Sequence, residues 1–267
     1  MISIIIPILN EAKTIGELIK HLLDNSSMTN VSQIIIVDGG SNDGSQDIVR
    51  RFSTIPSETP THNFFHATQV LSNSETEVLT RQKTPDSKKI NTQIQLISSE
   101  KGRAKQLNKG AEHAKGDILY FLHADSFPPK HFDALIISEV KKGNPAGCFR
   151  MQFDSDHWWL RLASWLTQFS WRACRGGDQS QFITRELFDE IGGYDENYII
   201  YEDNILINEL FARQQFVVIN KKLKTSARLY RQHGVWTLQY HFWTIYVKKW
   251  FGATAEELLA YYKKHVC

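Results

Sequence analysis

"IIIVDGGSNDGS" occupies Ile34–Ser45, and its reading decides the fold. Three isoleucines and a valine run into an aspartate, two glycines and a cluster of small polar residues. The unbroken β-branched run is the pattern of a strand buried on both faces of a parallel sheet. The abrupt change marks the strand's exit. Open parallel sheets bind ligands in the crevice outside the carboxyl ends of their strands, so a polar exit with glycines is a place for a site. The chain does the same thing twice more. "ISIIIPIL" (Ile2–Leu9) runs into "NEA", and "DILYFL" (Asp117–Leu122) runs into "HADS".

Working outward, Asn10 is expected to cap the helix after the first strand. Ile15, Leu18, Ile19, Leu22 and Leu23 form one apolar helical face. A second helix carries Ile48, Val49 and Phe52. This β-α-β-α start implies right-handed crossovers and a parallel sheet. Residues 53–93 lose all periodicity and hold 13 Ser or Thr. They read as a flexible insertion, with a short helix at "FFHATQVL" (Phe64–Leu71). Order returns with a strand at "IQLI" (Ile94–Ile97) and a helix bearing Ala104, Leu107, Ala111 and Ala114. Beyond Pro145 the chain turns aromatic, with helices expected near 158–171 and 236–250. Their stripes, Trp158-Leu162-Trp165-Phe169 and Trp236-Tyr240-Trp243-Val247, fit internal packing first, contact with a second copy next, and a membrane surface third.

Net charge is +2 over 267 residues, which gives no field for a polyanion and no sign of nucleic-acid binding. No apolar run approaches the roughly 18 residues that span a bilayer. "MISIIIPILNEA" lacks a basic leader and reads as the first strand, not a signal peptide. Cys148, Cys174 and Cys267 form no CxxC pair and read as reduced thiols of a cytoplasmic protein.

The exits offer specific chemistry. Asp38, Ser41 and Asp43 are acceptors suited to a base or ribose, and the neighbouring glycines permit close backbone approach. Asp125 is a hard oxygen ligand suited to Mg²⁺ or Mn²⁺. The same residue types are also ordinary turn and cap formers; three such exits on one sheet edge favour a site. Neither GxGxxG nor GxxxxGK[ST] stands at an exit, which argues against a dinucleotide domain or a P-loop.

The segments "SIIIPILNEAKTI", "IIIVDGGSNDGS", "GRAKQLNKGAEHAKGDILYFLHADS", "GGDQSQFI", "IGGYDE" and "YEDNIL" together resemble family 2 glycosyltransferases of the GT-A fold. They cover roughly residues 1–52 and 94–213 in the family's order. With "TSARLYRQHGVW", the chain is similar more narrowly to a bacterial subgroup associated with arsenosugar biosynthesis. The resemblance implies an α/β nucleotide-diphospho-sugar transferase fold: a mainly parallel sheet flanked by helices, with aromatic-rich C-terminal helices. It implies one domain over 1–267: a nucleotide-binding half (1–125), an acceptor and catalytic half (126–235) and a C-terminal helical region (236–267).

The resemblance also implies roles. Pro7, Asn10, Glu11, Asp38 and Ser41 would surround the nucleotide of a sugar-nucleotide donor. Gly39 stands where a second aspartate is usual, and Leu107 where an arginine often precedes Asn108; Arg103 and Lys105 lie upstream to reach a phosphate. The metal motif reads His123-Ala124-Asp125, implying Mn²⁺ or Mg²⁺ on Asp125, with His123 either a second ligand or a packing residue. Asp203 of "YEDN" would be the general base of inverting hexosyl or related transfer, with Glu202 as its substitute; the plain alternative is a helix cap. Gly177 and Asp178 would face the acceptor, whose identity is open. Arg228, Arg231 and His233 would close over the diphosphate or form a solvated face. A nucleotidyltransferase and a non-catalytic sugar-nucleotide binder are the alternatives. The implied setting is the cytoplasm or the inner face of its membrane, as a monomer or homodimer.

Overall fold

The computed structural model describes residues 1–53, 92–176 and 179–266. The expected insertion lies outside these residues except at its ends, as do its short helix and Gly177 and Asp178. The described strands are β1 (Ile2–Ile8), β2 (Val31–Asp38), β3 (Gln93–Ser98), β4 (Ile118–Phe121), β5 (Ser126–Phe127), β6 (Ala146–Phe153), β7 (Gln181–Thr184) and β8 (Val217–Thr225). The helices are α1 (Ile15–Asn25), α2 (Ser45–Ser53), α3 (Arg103–His113), α4 (Phe132–Lys141), α5 (Trp158–Leu166), α6 (Arg185–Ile191), α7 (Glu202–Ala212), α8 (Arg228–His233), α9 (Val235–Trp250) and α10 (Ala255–His265).

Among the described residues the strands form one sheet in the order β3-β2-β1-β4-β7-β6-β8-β5. β3, β2, β1 and β4 are mutually parallel, β7 runs antiparallel to β4 and β6, and β8 is parallel to β6. The chain builds outward from β1 to β2 and β3, then returns to β1's other side as β4. This reversal is a topological switch point, where open α/β sheets place their ligands.

Successive residues of β1 enter different cores, because side chains alternate across a strand. Ile4, Ile6 and Ile8 join a core with Leu18, Leu22 and Phe132 from α1 and α4, whereas Ile5 joins Leu107, Ala111 and Leu210 from α3 and α7. Helices on both faces explain why the strand runs do not alternate with polar residues. The expected face of α1 is buried at Ile15, Leu18, Ile19 and Leu22. Its cap is different: Thr14 holds that position without a side-chain bond, and Asn10 lies outside the helix. Gly110 lets α3 sit close on the sheet. A Cβ there would stand 2.3 Å from Ile5 Cγ2.

The aromatic stripes correct an expectation. Their spacing predicts packing first, yet Trp158, Leu162 and Trp165 on α5 and Trp236, Tyr240, Trp243 and Val247 on α9 are exposed. Leu160 and Ser164 of α5, and Leu238 and Ile245 of α9, face inward instead.

Candidate active site

The small polar residues after β2 have a local task. The Asn10 N–H donates to Ser41 Oγ, the Glu11 N–H to Ser45 Oγ, and the Ala12 N–H to Asp43 Oδ2, each at 2.9 Å. In return the Asn42 N–H donates to Asn10 Oδ1 at 2.9 Å. These bonds lace the β1 exit to the β2 exit. Asn10 reaches this arrangement in the left-handed region, at φ 58°, where asparagine is one of the few tolerated side chains. The Ser45 hydroxyl, then the Ala12 N–H, hold the Asp43 carboxyl below its usual pKa.

Asp38 is buried at the end of β2. Its carboxylate accepts from the Gly40 and Ser41 N–H groups and from Gln46 Nε2, the last at 2.6 Å. Here Asp38 braces its own loop. Sequence reasoning passed over Gln106, which holds the same region from α3. Its Nε2 donates to the Ile8 carbonyl at 2.9 Å and to the Val37 carbonyl at 2.8 Å, tying the ends of β1 and β2 together. A Cβ at Gly39 would lie 3.0 Å from this carboxamide. The missing second aspartate therefore has a structural counterpart: Gln106 fills the space. The local signal was a glutamine on the otherwise apolar inner face of α3.

β4 pairs with β1 only as far as Ile5 opposite Phe121. At the end of that pairing lies a small pocket lined by Pro7, Leu107, Leu122, His123, Tyr194 and Asp203 among others. The structure thus brings together Pro7 from β1, His123 from the β4 exit and Asp203 from α7, residues 196 positions apart at the extremes by their numbers.

Asp203 and Glu202 occupy the first turn of α7, where the helix dipole favours negative charge. Tyr201, not either acid, holds the cap position, at φ 73°. The acids stand one and two residues further in, where the plain alternative of charge set against the helix dipole still applies. The two acids differ in access. The Glu202 side chain is fully buried and accepts from Arg103 Nη1 at 3.2 Å, whereas Asp203 is 12% exposed with an oxygen 3.6 Å from that nitrogen. Arg103, expected near a phosphate, stands against this acidic pair. Tyr194 lies beside them; burial first, then the charges of Asp203 and Glu202, raise its pKa and keep its hydroxyl protonated. Asn108 fixes the Tyr194 backbone by accepting its N–H and donating to its carbonyl, both at 2.9 Å.

Of the basic trio, only Arg228 is joined to the β1 exit. Its two terminal nitrogens donate to the two oxygens of Glu11 at 2.9 and 3.3 Å, and this pairing, with the nearby charge of Asp125, raises its pKa. Arg231 turns to Asp154 at 3.1 Å, and His233 is exposed on α8. Glu11, expected at the nucleotide, is thus bound to Arg228. His123 and Asp125 are half-buried on the β4 exit. Among the described residues no group of three or more His, Cys, Asp or Glu converges as a metal site. One carboxylate with one imidazole fits an ion that draws its other ligands from phosphates and water.

Superposition on solved structures shows that this sheet, with its switch point beside β1 and helices on both faces, has the GT-A fold. S. aureus TarS bound to UDP gives a TM-score of 0.57 at 14% identity, covering 85% of this chain and 60% of that one. The mannosyltransferase PcManGT of Pyrobaculum calidifontis, bound to GDP-Man and Mn²⁺, gives 0.56 at 19% identity, covering 98% and 63%. The description "Glycosyl transferase family 2" matches residues 3–69 and 72–195, and the chain belongs to that family of enzymes. Glycosyltransferase AglE of Haloferax volcanii is 25% identical over 127 residues, 48% of this chain and 31% of its own length. The undecaprenyl-phosphate 4-deoxy-4-formamido-L-arabinose transferase of Edwardsiella ictaluri is 26% identical over 167 residues, 62% of this chain and 41% of its own. The chain spans less than half the length of these two relatives.

Proposed function

We propose that the chain is an inverting glycosyltransferase that moves a sugar from a nucleoside-diphosphate donor to an acceptor hydroxyl, with Asp203 as general base. The observation that carries this reading is the grouping itself: the more accessible acid of the pair, Asp203, lines one small pocket with Pro7 of β1 and His123 of the β4 exit. The donor's nucleotide lies over the laced exits of β1 and β2, near Pro7, Asn10, Glu11, Asp38 and Ser41. Its diphosphate meets Arg228, which leaves or shares Glu11 to reach it. Asp203 takes the acceptor proton as the acceptor oxygen bonds the anomeric carbon, and the bond from that carbon to the diphosphate oxygen breaks. Glu202 and Arg103 position Asp203: a buried carboxylate anchors the guanidinium, and the guanidinium stands 3.6 Å from the Asp203 carboxylate. Asp125 and His123 would hold a divalent ion, which would supply charge neutralisation for the leaving diphosphate. Superposition on proteins described with UDP or GDP-Man supports a nucleotide-sugar donor in kind, without choosing the base.

The test is Asp203→Asn, which keeps shape and cannot take the proton. Donor turnover should fall about 10²–10⁴-fold, with nucleoside-diphosphate affinity within two-fold, about the precision of a titration. Near-normal turnover would remove Asp203 from the role. Asp125→Ala should abolish the Mn²⁺-dependent part of nucleoside-diphosphate binding; an equal Mn²⁺ effect in parent and variant would sink the metal assignment.

A further inference from the structure

The outer face of α5 and α9 is apolar, exposed and continuous. On α9, Trp236, Tyr240, Trp243, Val247 and Trp250 recur at spacings of four and three, so they share one helix face. They are 48–84% exposed. Leu238 and Ile245 are buried on the opposite face. A helix that is apolar on two opposite faces has one more apolar neighbour than its own protein supplies. α5 repeats the arrangement, with Trp158, Leu162 and Trp165 outward and Leu160 inward. Ring contacts join the two faces: Trp158 lies 5.8 Å from Trp236, and Trp159 lies 5.8 Å from Trp243. At the end of α9, Trp250 and Phe251 are 84% and 80% exposed.

Two observations choose the occupant. The first is chemistry. Trp and Tyr dominate, and these side chains settle where an apolar phase meets water. The seam of a two-stranded coiled coil would show Leu, Ile and Val at such spacing and would be one helix wide. The second is charge. α9 holds no acidic residue and ends in Lys248 and Lys249, and α10, packed beside it, ends in Lys263, Lys264 and His265. Residues 155–176 and 226–266 contain nine Lys or Arg against three acids, Asp156, Glu256 and Glu257, in a chain whose net charge is only +2. Of these nine, Arg228 and Arg231 are tied to Glu11 and Asp154, Arg172 is bonded to Asn204, Arg175 is buried and Lys249 turns to Tyr198, which leaves Arg161, Lys248, Lys263 and Lys264 as exposed cations beside the tryptophans.

We propose that this face docks on an anionic lipid bilayer, the chain lying on the surface without crossing it. Among the described residues no helix is long and apolar enough to cross. The face adjoins the acids of α7: the Tyr246 ring lies 5.3 Å from that of Tyr201, the residue that caps α7. Docking would set Asp203 close to the lipid surface. The inference goes beyond the transfer reading and stands whether or not Asp203 is the base.

The experiment is co-sedimentation with vesicles of phosphatidylcholine alone and of phosphatidylcholine with phosphatidylglycerol, while tryptophan emission is followed. Binding to the anionic vesicles, with blue-shifted emission and weakening in high salt, is expected. The triple substitution Trp236→Gln, Trp243→Gln, Trp250→Gln should lower it about ten-fold or more. Should that variant melt without cooperativity, Lys248→Gln, Lys263→Gln, Lys264→Gln serves instead, with a loss of about ten-fold on anionic vesicles. Absence of binding to anionic vesicles would overturn the proposal. So would variants that bind as the parent does, or a dimer in light scattering that the tryptophan substitutions dissolve while vesicles have no effect.

Discussion

The first half of the sheet and the aromatic helices obey the same sequence rule with opposite results. In β1 and β2, apolar runs mean burial: Ile4, Ile5, Ile35 and Ile36 are inaccessible. In α5 and α9, apolar stripes at perfect helical spacing mean exposure. Periodicity identifies the face of a helix but not what covers that face. In β1 and β2 the cover is supplied by the chain itself, through α1, α3 and α4. In α9 only one of two apolar faces is so covered.

The largest effect that sharpens this contrast belongs to β1. Ile5→Ala should cost about 2–5 kcal/mol in a denaturant melt, since Ile5 is buried against α3 with Gly110 pressed on it. A cost below about 1 kcal/mol would break the equation of pattern with burial in this half, since cavity formation normally exceeds that.

A second effect lies at the strand exits. Gly39→Asp, which restores the family's usual residue, should destabilise the parent by about 1–3 kcal/mol because Gln106 occupies the space. In a Gln106→Ala background the same change should cost less, with a coupling of about 0.5–3 kcal/mol across the double-mutant cycle. Strictly additive costs would mean that Gly39 and Gln106 do not compete. Smaller still is Thr254→Ala at the start of α10. Thr254 and Glu257 form a reciprocal capping box, so the loss should be about 1 kcal/mol by the same melt. No loss would mean that α10 frays from α9 before global unfolding.

How much of this was legible followed from how local each cause is. β1, β2, β4 and α1 were readable because burial on both faces writes itself into a continuous apolar run or a single stripe. β8 was not. Its "VVINKKLKT" buries only Ile219, Leu223 and Thr225, because near the sheet's edge one side of the strand faces water and carries lysines. β5 is two residues long and exists only through its pairing with β8. At the site, the acids of α7 were recognisable from the family pattern, but their division was not. Burial of Glu202 against Arg103, 99 positions away, is a tertiary fact. The lacing of Asn10, Ser41 and Asp43 was invisible for the same reason. Residues that read as ligand contacts are bonded to each other across the two exits.

A small predicted effect is the sharpest test of the comparison. Trp243→Gln removes the largest of side chains from the middle of α9. If Trp243 were part of a core, as its helical spacing first suggests, the loss would be about 3–5 kcal/mol. Because 48% of it is exposed and its ring meets Trp159, the change in stability without lipid should stay at about 0.5–1.5 kcal/mol, the worth of one aromatic pair. Ile245→Ala, two residues on and facing inward at 5% exposure, is the control and should cost about 2–5 kcal/mol in the same melt. One helix then reports both rules at once. Equal losses at the two positions would mean that the outer stripe is covered in the free chain, and the contrast between the two halves would fail. A large loss at Ile245 with only a small one at Trp243 would leave the tryptophan stripe with little part in holding the fold, free for whatever it meets outside it.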